Sequence, residues 1–190
     1  GGKTLEIGVG MGDDTLLLCQ NGFDVTGIDL TEKSIEATSA RLNFHNLSAD
    51  LKTGDAEELE FDDETFDIVY SFGVLHHSPD TPKTVSEVHR VLKKDGIALI
   101  MLYHKRSLNY LMHRITNTSF DGSKDDPCPE EKAYKICEIK NMFASFSSVE
   151  VKPDYLFGTG WKWVNYFVPV FVKKFWARWF GWHLMIRATK

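Results

Sequence analysis

The chain has 190 residues, 43% of them hydrophobic and 26% charged, which fits one globular domain and excludes a disordered or fibrous protein. The net charge is −5, but residues 153–190 carry six basic side chains and one acid, so the acidic remainder argues against nucleic-acid binding. Three cysteines without metal-type spacing, no apolar run near the roughly 18 residues that span a bilayer, and no leading signal peptide predict a soluble, cytoplasmic protein.

Short apolar runs alternate with longer helical patterns up to about residue 103. Strands are predicted at 4–8, 23–29, 50–53, 66–71 and 97–103. Helices are predicted between them at 13–20, 32–45 and 82–93, the last of which should end at Asp95-Gly96. Alternation of this kind indicates right-handed βαβ units, so we predict an α/β protein with a mainly parallel sheet.

The pattern changes after residue 103. Helices are expected at about 107–116 and 130–144 on either side of a polar loop, and strands at 148–152 and 182–189. Residues 161–182 are basic and rich in tryptophan, with apolar residues at a helical period that Pro169 starts or kinks. We expect this segment to pack on the domain as core, while a cover for an apolar substrate and contact with a membrane or partner stay open.

The stretch LEIGVGMG places Gly8, Gly10 and Gly12 between the first strand and a helix that begins near Asp13. Ligands of an open parallel sheet lie at the carboxyl ends of the strands, so this loop faces the predicted site. Glycines there permit positive φ and a close approach of ligand to main chain. By itself, the loop is also compatible with a tight turn that holds no ligand.

Two carboxylates follow neighbouring strands. Asp29 can accept the hydroxyls of a ribose, and Asp55 is suited to the amino group of an adenine, so the three strand ends predict an adenosine-containing ligand. The position of Gly12 departs from the dinucleotide fingerprint, Asp13 would repel a pyrophosphate, and no P-loop lysine follows. Because Glu6 suits an ammonium group, we expect a ligand with positive charge and little phosphate.

The stretches LEIGVGMG, VTGIDLTEKSIE, GDAEELEFDDETFDIVYSFGVLHH and HRVLKKDGIALIMLY together resemble the class I S-adenosylmethionine-dependent methyltransferases, in particular the type 11 group that includes quinone C-methyltransferases. The match covers about residues 3–103. It implies a doubly wound, Rossmann-like sheet of seven strands with an antiparallel last strand, and S-adenosyl-L-methionine as cofactor. The family's usual N-terminal helix does not precede the first strand, which is consistent with a fragment.

The same resemblance implies a single domain over 1–190. Its expected parts are a cofactor-binding core at 1–103, substrate-side insertions at 104–147 and 153–181, and closing strands at 148–152 and 182–189. The cofactor-binding positions that the resemblance implies are Glu6, Gly8, Gly10, Gly12, Asp29, Leu30, Asp55, Ala56 and Ser71. In the family, the equivalent of Leu30 packs on adenine, and a main-chain carbonyl like that of Ser71 receives the cofactor's amino group.

Methyl transfer needs an aligned nucleophile, and it needs a base only when the acceptor must lose a proton. His77, Tyr103 and His104 follow the fourth and fifth strands, and we expect them at the mouth of the site as candidate bases, with structural packing as the alternative. No third ligand converges on the histidines, so no metal site is predicted.

The predicted function is methyl transfer from S-adenosylmethionine to a small-molecule, apolar acceptor. Two alternatives stay open. One is a regulatory module that binds the cofactor without transferring a methyl group. The other is a nicotinamide-dependent oxidoreductase, which the position of the third glycine disfavours.

Overall fold

The computed structural model describes residues 2–118, 132–157 and 166–190. The elements that it delimits are, in chain order, β1 Lys3–Ile7, α1 Asp13–Gln20, β2 Asp24–Asp29, α2 Glu32–Phe44, β3 Asp50–Thr53, β4 Phe66–Phe72, α3 Thr81–Val91, β5 Leu92–His104, α4 Leu108–Thr116, β6 Ala133–Tyr134, α5 Ile136–Met142, β7 Ser148–Asp154, α6 Val170–Phe180 and β8 His183–Thr189. A short 3-10 helix at Leu75–His77 follows β4.

The strands form one sheet in the order β3-β2-β1-β4-β5-β8-β7, and the two-residue strand β6 pairs with the end of β5. β8 is antiparallel to β5 and β7, whereas the other pairs are parallel. The predicted α/β class, the mainly parallel sheet and the antiparallel last strand are therefore confirmed. Strand order reverses between β1 and β4, which is where open α/β sheets form their ligand crevices.

The junction between α3 and β5 differs from the prediction. The helix ends at Val91, because Leu92 already pairs with Phe66 of β4 ahead of a shift in register. The Asp95-Gly96 pair therefore lies inside β5, where Asp95 adopts a φ of 62°. The expected helical stop is instead an irregularity in a strand.

The helix predicted over 130–144 is shorter than expected. Ala133 and Tyr134 form β6 against Tyr103 and His104, and α5 occupies only Ile136–Met142. The loop predicted before it falls mostly at 119–131, outside the described residues. The division of 1–190 into a core and insertions stays a prediction.

Side chains cap the helices that position the site. Thr31 Oγ1 accepts a hydrogen bond from the Ser34 amide at 3.3 Å where α2 begins. Ser107 Oγ accepts one from the Tyr110 amide at 3.0 Å where α4 begins. Such bonds satisfy amides that the first helical turn leaves without a partner, and so they set where each helix starts.

The main core lies between one face of the sheet and helices α3 and α5. Buried strand residues alternate with residues of the other face, as a period of two requires. The strand residues that form this core include Leu5, Ile7, Val69, Ala98, Ile100, Leu102, Leu184, Ile186 and Ala188. Helix α3 contributes Val85, Val88 and Val91, and α5 contributes Ile139. On the opposite face, Phe72, Leu99 and Met185 stay 38–41% exposed.

Helix α6 does not belong to this core. Ala177 is buried on the domain, but Phe171 is 74% exposed and Trp179 is 52% exposed. The expectation that residues 161–182 pack as core is therefore wrong for α6, and residues 161–165 lie outside the described residues. Among residues 2–118, 132–157 and 166–190, no helix has both the length and the apolarity to cross a bilayer.

Gly181 sets the close approach of α6 to β7. A Cβ at Gly181 would lie within 2.6 Å of the Ala177 carbonyl oxygen and would also overlap the Asp154 main chain. We expect Gly181→Ala to lower the free energy of unfolding by about 1–3 kcal/mol, because main-chain atoms cannot move aside. Urea unfolding measures this change. The control is Gly54→Ala, whose new Cβ would meet nothing closer than 3.6 Å, so this variant should unfold like the unmodified protein. An equal loss of unfolding free energy in the two variants would contradict the prediction.

Candidate functional site

A cavity of about 370 Å³ opens at the carboxyl ends of four adjacent strands. Its lining residues come from the loops after β1, β2, β3 and β4, within 7–10, 28–30, 54–57 and 74–79. The volume falls in the range of small-molecule sites, about 300–1,000 Å³. A cavity therefore lies at the edge of the sheet where the sequence predicts the site.

The loop between β1 and α1 contains three glycines with positive φ, at 84° for Gly8, 52° for Gly10 and 77° for Gly12. A Cβ at Gly8 would overlap Val74, and a Cβ at Gly12 would lie 2.9 Å from Thr38 Cγ2. At Gly10 a Cβ would meet nothing within 4 Å, and Gly10 lines the cavity. Gly8 and Gly12 thus permit the packing of the loop, while Gly10 leaves open the space that a ligand would occupy.

The Asp29 carboxylate holds this loop to the end of β2. Its Oδ2 accepts a hydrogen bond from the Gly10 amide at 3.1 Å. Its Oδ1 accepts bonds from the Thr31 amide at 3.0 Å and from the Thr31 hydroxyl at 3.1 Å. A carboxylate has about four lone-pair sites, so Asp29 keeps capacity on Oδ2 for a ligand hydroxyl.

Leu30, Asp55 and Ala56 form the neighbouring wall of the cavity. Leu30 is 76% exposed, which leaves a large apolar side chain available to a ligand. Asp55 Oδ1 accepts a hydrogen bond from the Glu57 amide at 2.8 Å, and this bond orients the carboxylate. Apolar side chains beside an oriented carboxylate suit the flat faces and amino edge of a purine.

Glu57 is a lining residue that the sequence pattern does not reveal. Its Oε1 accepts hydrogen bonds from the Ser78 hydroxyl at 2.5 Å and the Asp80 amide at 2.7 Å. These two bonds hold the pKa of Glu57 below its usual value. Glu57 thereby joins the loop after β3 to the loop after β4. The nearest sequence signal is the acid-rich stretch after Asp55. That stretch does not show which of Glu57 and Glu58 lines the cavity.

His77 lines the cavity, as predicted, but Tyr103 does not. The Tyr103 ring lies between those of His76 and Trp182, at centroid distances of 4.0 and 4.1 Å, and only 8% of Tyr103 is exposed. The expectation that Tyr103 faces the mouth of the site is therefore wrong, because β8 pairs with β5 as far as Tyr103 and His183. Since the His76 and His77 rings also contact at 4.2 Å, four rings run in a row from the cavity to Trp182.

His104 is also buried away from the cavity, so its expected place at the mouth is wrong too. Its Nδ1 lies 2.9 Å from the Gly181 carbonyl oxygen, which can only accept, so Nδ1 carries the proton and donates. Burial lowers the pKa of His104 below its ordinary value. His104 joins the end of β5 to the junction of α6 and β8.

Glu6, in β1 just before the glycine loop, is 3% exposed and does not line the cavity. Its Oε2 has no hydrogen-bond partner among the described residues, nor has the nearby Thr15 hydroxyl. Burial raises the pKa of Glu6 to about 7; the proximity of Thr15 opposes this rise and the charge of Asp14 adds to it. Asp14 accepts a hydrogen bond from the Tyr70 hydroxyl at 2.8 Å. A buried carboxyl oxygen without a partner suits a cationic group.

Ser71 does not line this cavity. Its hydroxyl is buried and donates to the Ile7 carbonyl at 3.0 Å, which joins β4 to β1. In the part of the chain that the structure describes, no three His, Cys, Asp or Glu side chains form a group that could hold a metal ion.

Fold and cavity together define an α/β protein with an open ligand cavity at the carboxyl edge of its sheet, where such folds bind nucleoside-type cofactors. A family model described as a methyltransferase domain matches residues 5–100, about half of the chain. The chain belongs to this methyltransferase family, and the resemblance stated from the sequence is confirmed.

Curated relatives support the same assignment. The chain is 35% identical over 108 residues to phosphatidylethanolamine N-methyltransferase of Cereibacter sphaeroides, over 56% of this chain and 53% of that protein. It is 31% identical over 109 residues to ubiquinone biosynthesis O-methyltransferase of Pelagibacter ubique, over 57% of this chain and 45% of that protein. The chain spans about half the length of these relatives.

A solved structure shows the same fold. It is a SAM-dependent methyltransferase of Thermotoga maritima, described as a possible histamine N-methyltransferase, with a TM-score of 0.73 and 20% identity over 100% of this chain and 83% of that chain. Family membership implies S-adenosyl-L-methionine as the cofactor, as expected from the sequence. The residues present fit this cofactor in two respects, namely the open space at Gly10 and the remaining acceptor capacity of Asp29, both of which line the cavity.

Gly10→Ala should weaken binding of S-adenosylmethionine about tenfold or more, because the new Cβ would stand in the cavity. The substitution should also cost about 1–2 kcal/mol of stability through the positive φ. Gly22→Ala is the matched control, since Gly22 has a φ of 77° and equally open surroundings but lies outside the cavity lining. Calorimetric titration measures the affinity. Equal affinities of the two variants would contradict the role given to Gly10.

Because of Glu6, the free energy of unfolding should fall as pH rises from about 4.5 to about 7. In this range the Glu6 carboxyl has lost its proton in the unfolded chain but keeps it in the folded protein. The loss should reach about 3 kcal/mol above pH 7. Glu6→Gln should abolish it, so that the variant matches the unmodified protein near pH 4 and exceeds it near pH 8 in urea unfolding. The exposed Glu60→Gln is the control. A pH-independent difference between Glu6→Gln and the unmodified protein would refute the raised pKa.

Proposed function

We propose that the protein transfers a methyl group from S-adenosyl-L-methionine to a small-molecule, apolar acceptor. One observation carries the proposal: a single cavity unites the open space at Gly10 with the carboxylates of Asp29 and Asp55 at neighbouring strand ends. Family membership supports the reaction class. Because the chain spans about half the length of its curated relatives, the activity of the whole protein is our proposal.

Each wall of the cavity takes one part of the cofactor in this proposal. Asp29 accepts the ribose hydroxyls through the free capacity of Oδ2. Leu30 and Ala56 contact the faces of the adenine, and Asp55 accepts its amino group.

The remaining contacts lie along the glycine loop. The main chain at Gly10 would contact the sulfur-bearing part of the cofactor, while Gly8 and Gly12 permit the packing of the loop. Glu6 and the main-chain carbonyl of Ser71 would accept the amino group of the methionine part, although neither residue lines the cavity itself. An ammonium near Glu6 would favour the charged carboxylate, so cofactor binding should lower the pKa of Glu6.

Bound in this way, S-adenosylmethionine supplies an electrophilic methyl group on a positively charged sulfur. The protein's part is to align the acceptor and to exclude water. His77 is our candidate for the general base, because it is the one of the three predicted residues that lines the cavity. Tyr103 and His104 cannot act as bases there, because both are buried away from the cavity.

An apolar acceptor fits two of the relatives and the surface of the chain. The names of two relatives specify phosphatidylethanolamine and ubiquinone biosynthesis, and both of these molecules are lipids. In this chain, α6 exposes aromatic side chains at the same edge of the sheet. We propose that segment 161–182 contacts the apolar substrate or a membrane, and that the protein is cytoplasmic.

Release of S-adenosylhomocysteine tests the function. The chain, presented with S-adenosylmethionine and a panel of quinols, aminophospholipids and small amines, should release S-adenosylhomocysteine with at least one acceptor. If the acceptor loses a proton, His77→Ala should lower kcat about 10²–10⁴-fold, a larger effect than any change in cofactor affinity. His45→Ala, an exposed histidine on another surface, is the control.

The same assay distinguishes the alternatives. Cofactor binding without release for any acceptor would favour a regulatory module. Saturable binding of NAD(H) in place of S-adenosylmethionine would favour the oxidoreductase and contradict the proposal.

A further inference from the structure

Helix α6 presents an extended aromatic face to solvent. The exposed fractions are 74% for Phe171, 50% for Phe175, 46% for Trp176, 52% for Trp179 and 40% for Phe180. Contiguous apolar patches are uncommon on the surface of a monomer, and where they occur they mark interaction sites. Nothing in the cofactor site accounts for this face, because none of these residues lines the cavity.

The helical period places these aromatic rings away from the domain. Phe171, Phe175 and Trp179 follow one another at i, i+4, and Trp176 and Phe180 form the adjacent row. The rings contact along and between the rows, at centroid distances of 5.3 Å for Phe175 and Trp179 and 6.0 Å for Trp176 and Phe180. Ala177, on the opposite side of the helix, is the buried contact with the domain.

Cations border the aromatic rows. Lys174 and Arg178 form the i, i+4 row between the aromatic face and the packed side, and α6 contains no acidic residue. Lys173 lies on the packed side, where it lines a groove with Asp154 and Lys174. The helix is therefore amphipathic in an unusual sense, with its apolar face turned to solvent and its cations at the rim of that face.

Helix α4 extends this surface. Leu111 is 53% exposed and Ile115 is 69% exposed, again at i, i+4. A groove of about 530 Å³ joins the two helices, and its lining includes Leu111 and Arg114 of α4 together with Phe180 of α6. Arg106 lies in the same groove. We call the exposed apolar residues of α4 and α6, with the cations Lys105, Arg106, Arg114, Lys174 and Arg178, the interfacial surface.

The interfacial surface lies at the same edge of the sheet as the cavity. Strand β5 leads into α4 at its carboxyl end, and α6 follows the carboxyl end of β7. The row of rings from His77 through His76 and Tyr103 ends at Trp182, two residues after α6. Any partner that binds the interfacial surface would therefore lie on the side of the molecule where the cavity opens.

We propose that the interfacial surface binds an anionic phospholipid bilayer, with α6 lying in the plane of the membrane interface. Tryptophan and phenylalanine side chains are favoured at the headgroup boundary, and lysine and arginine beside them meet lipid phosphates. A second copy of the chain would fit less well, because a symmetric contact would bring the cations of both copies together. The proposal chooses the membrane from the two partners that the proposed function leaves open for segment 161–182, and it does not depend on methyl transfer.

Cosedimentation with vesicles tests the proposal. Vesicles of equimolar phosphatidylglycerol and phosphatidylcholine should bind the full chain, more weakly at high salt, and vesicles of phosphatidylcholine alone should bind it less. Lys174→Gln with Arg178→Gln should weaken binding to the anionic vesicles about fivefold for each cation removed. Trp176→Ser with Trp179→Ser should weaken binding to both kinds of vesicle about tenfold or more.

The controls use exposed residues elsewhere on the molecule. Phe44→Ser removes a ring that is 83% exposed on α2, and Lys33→Gln with Lys94→Gln removes two exposed cations, so both variants should bind vesicles like the unmodified chain. All variants should keep the thermal unfolding midpoint and the affinity for S-adenosylmethionine of the unmodified protein.

Two results would overturn the inference. One is no binding to anionic vesicles, or binding that the substitutions in α6 leave unchanged. The other is a dimer in sedimentation velocity that Trp176→Ser with Trp179→Ser dissociates, without any vesicle binding, since this would assign the surface to a second copy. A chain that binds vesicles but neither binds nor turns over S-adenosylmethionine would contradict the proposed function alone.

Discussion

The hydrogen bond from the Gly10 amide to the Asp29 carboxylate is the constraint on which the site depends. Two further bonds hold the same loop, from the Gly8 amide to the Ile28 carbonyl at 2.8 Å and from the Thr38 hydroxyl to the Gly10 carbonyl at 3.2 Å. Together they keep the main chain of the loop clear of the space between the ends of β1 and β2. The cavity is thus a product of strand-end geometry, and Asp29 both shapes it and offers an acceptor within it.

Local sequence patterns predicted the parts of the fold that local interactions decide. The positions of Asp29 and Asp55 after their strands follow from apolar runs and turn residues nearby, and both line one cavity as expected. Pairing between distant segments decided the rest. Leu92 joins β5 because Phe66 is its partner, and Ala133–Tyr134 are a strand because the end of β5 is open to them. A helical pattern cannot report such pairings, since it contains no information on the neighbouring strand.

The same limit applies to the site. Sequence spacing placed Tyr103 and His104 at a strand end. In the structure β8 and Trp182 cover these two side chains, and β8 and Trp182 come about eighty residues later in the chain. Glu57 could not be predicted for the same reason, because its place in the cavity wall depends on a hydrogen bond from Ser78 in another loop. The aromatic segment shows the opposite case. Its helical period was correct for α6, whereas only the packing of Ala177 reveals which side faces the domain.

Cofactor cavity and aromatic surface share one edge of the sheet, so the proposed chemistry and the proposed membrane contact are geometrically compatible. The account nevertheless depends on the cavity. A crystal structure with S-adenosylhomocysteine tests it most directly. We expect the ribose hydroxyls on Asp29, the adenine between Leu30 and Ala56, and the sulfur-bearing chain along Gly10. A complex that leaves this cavity empty and holds the nucleoside at another surface would contradict the account.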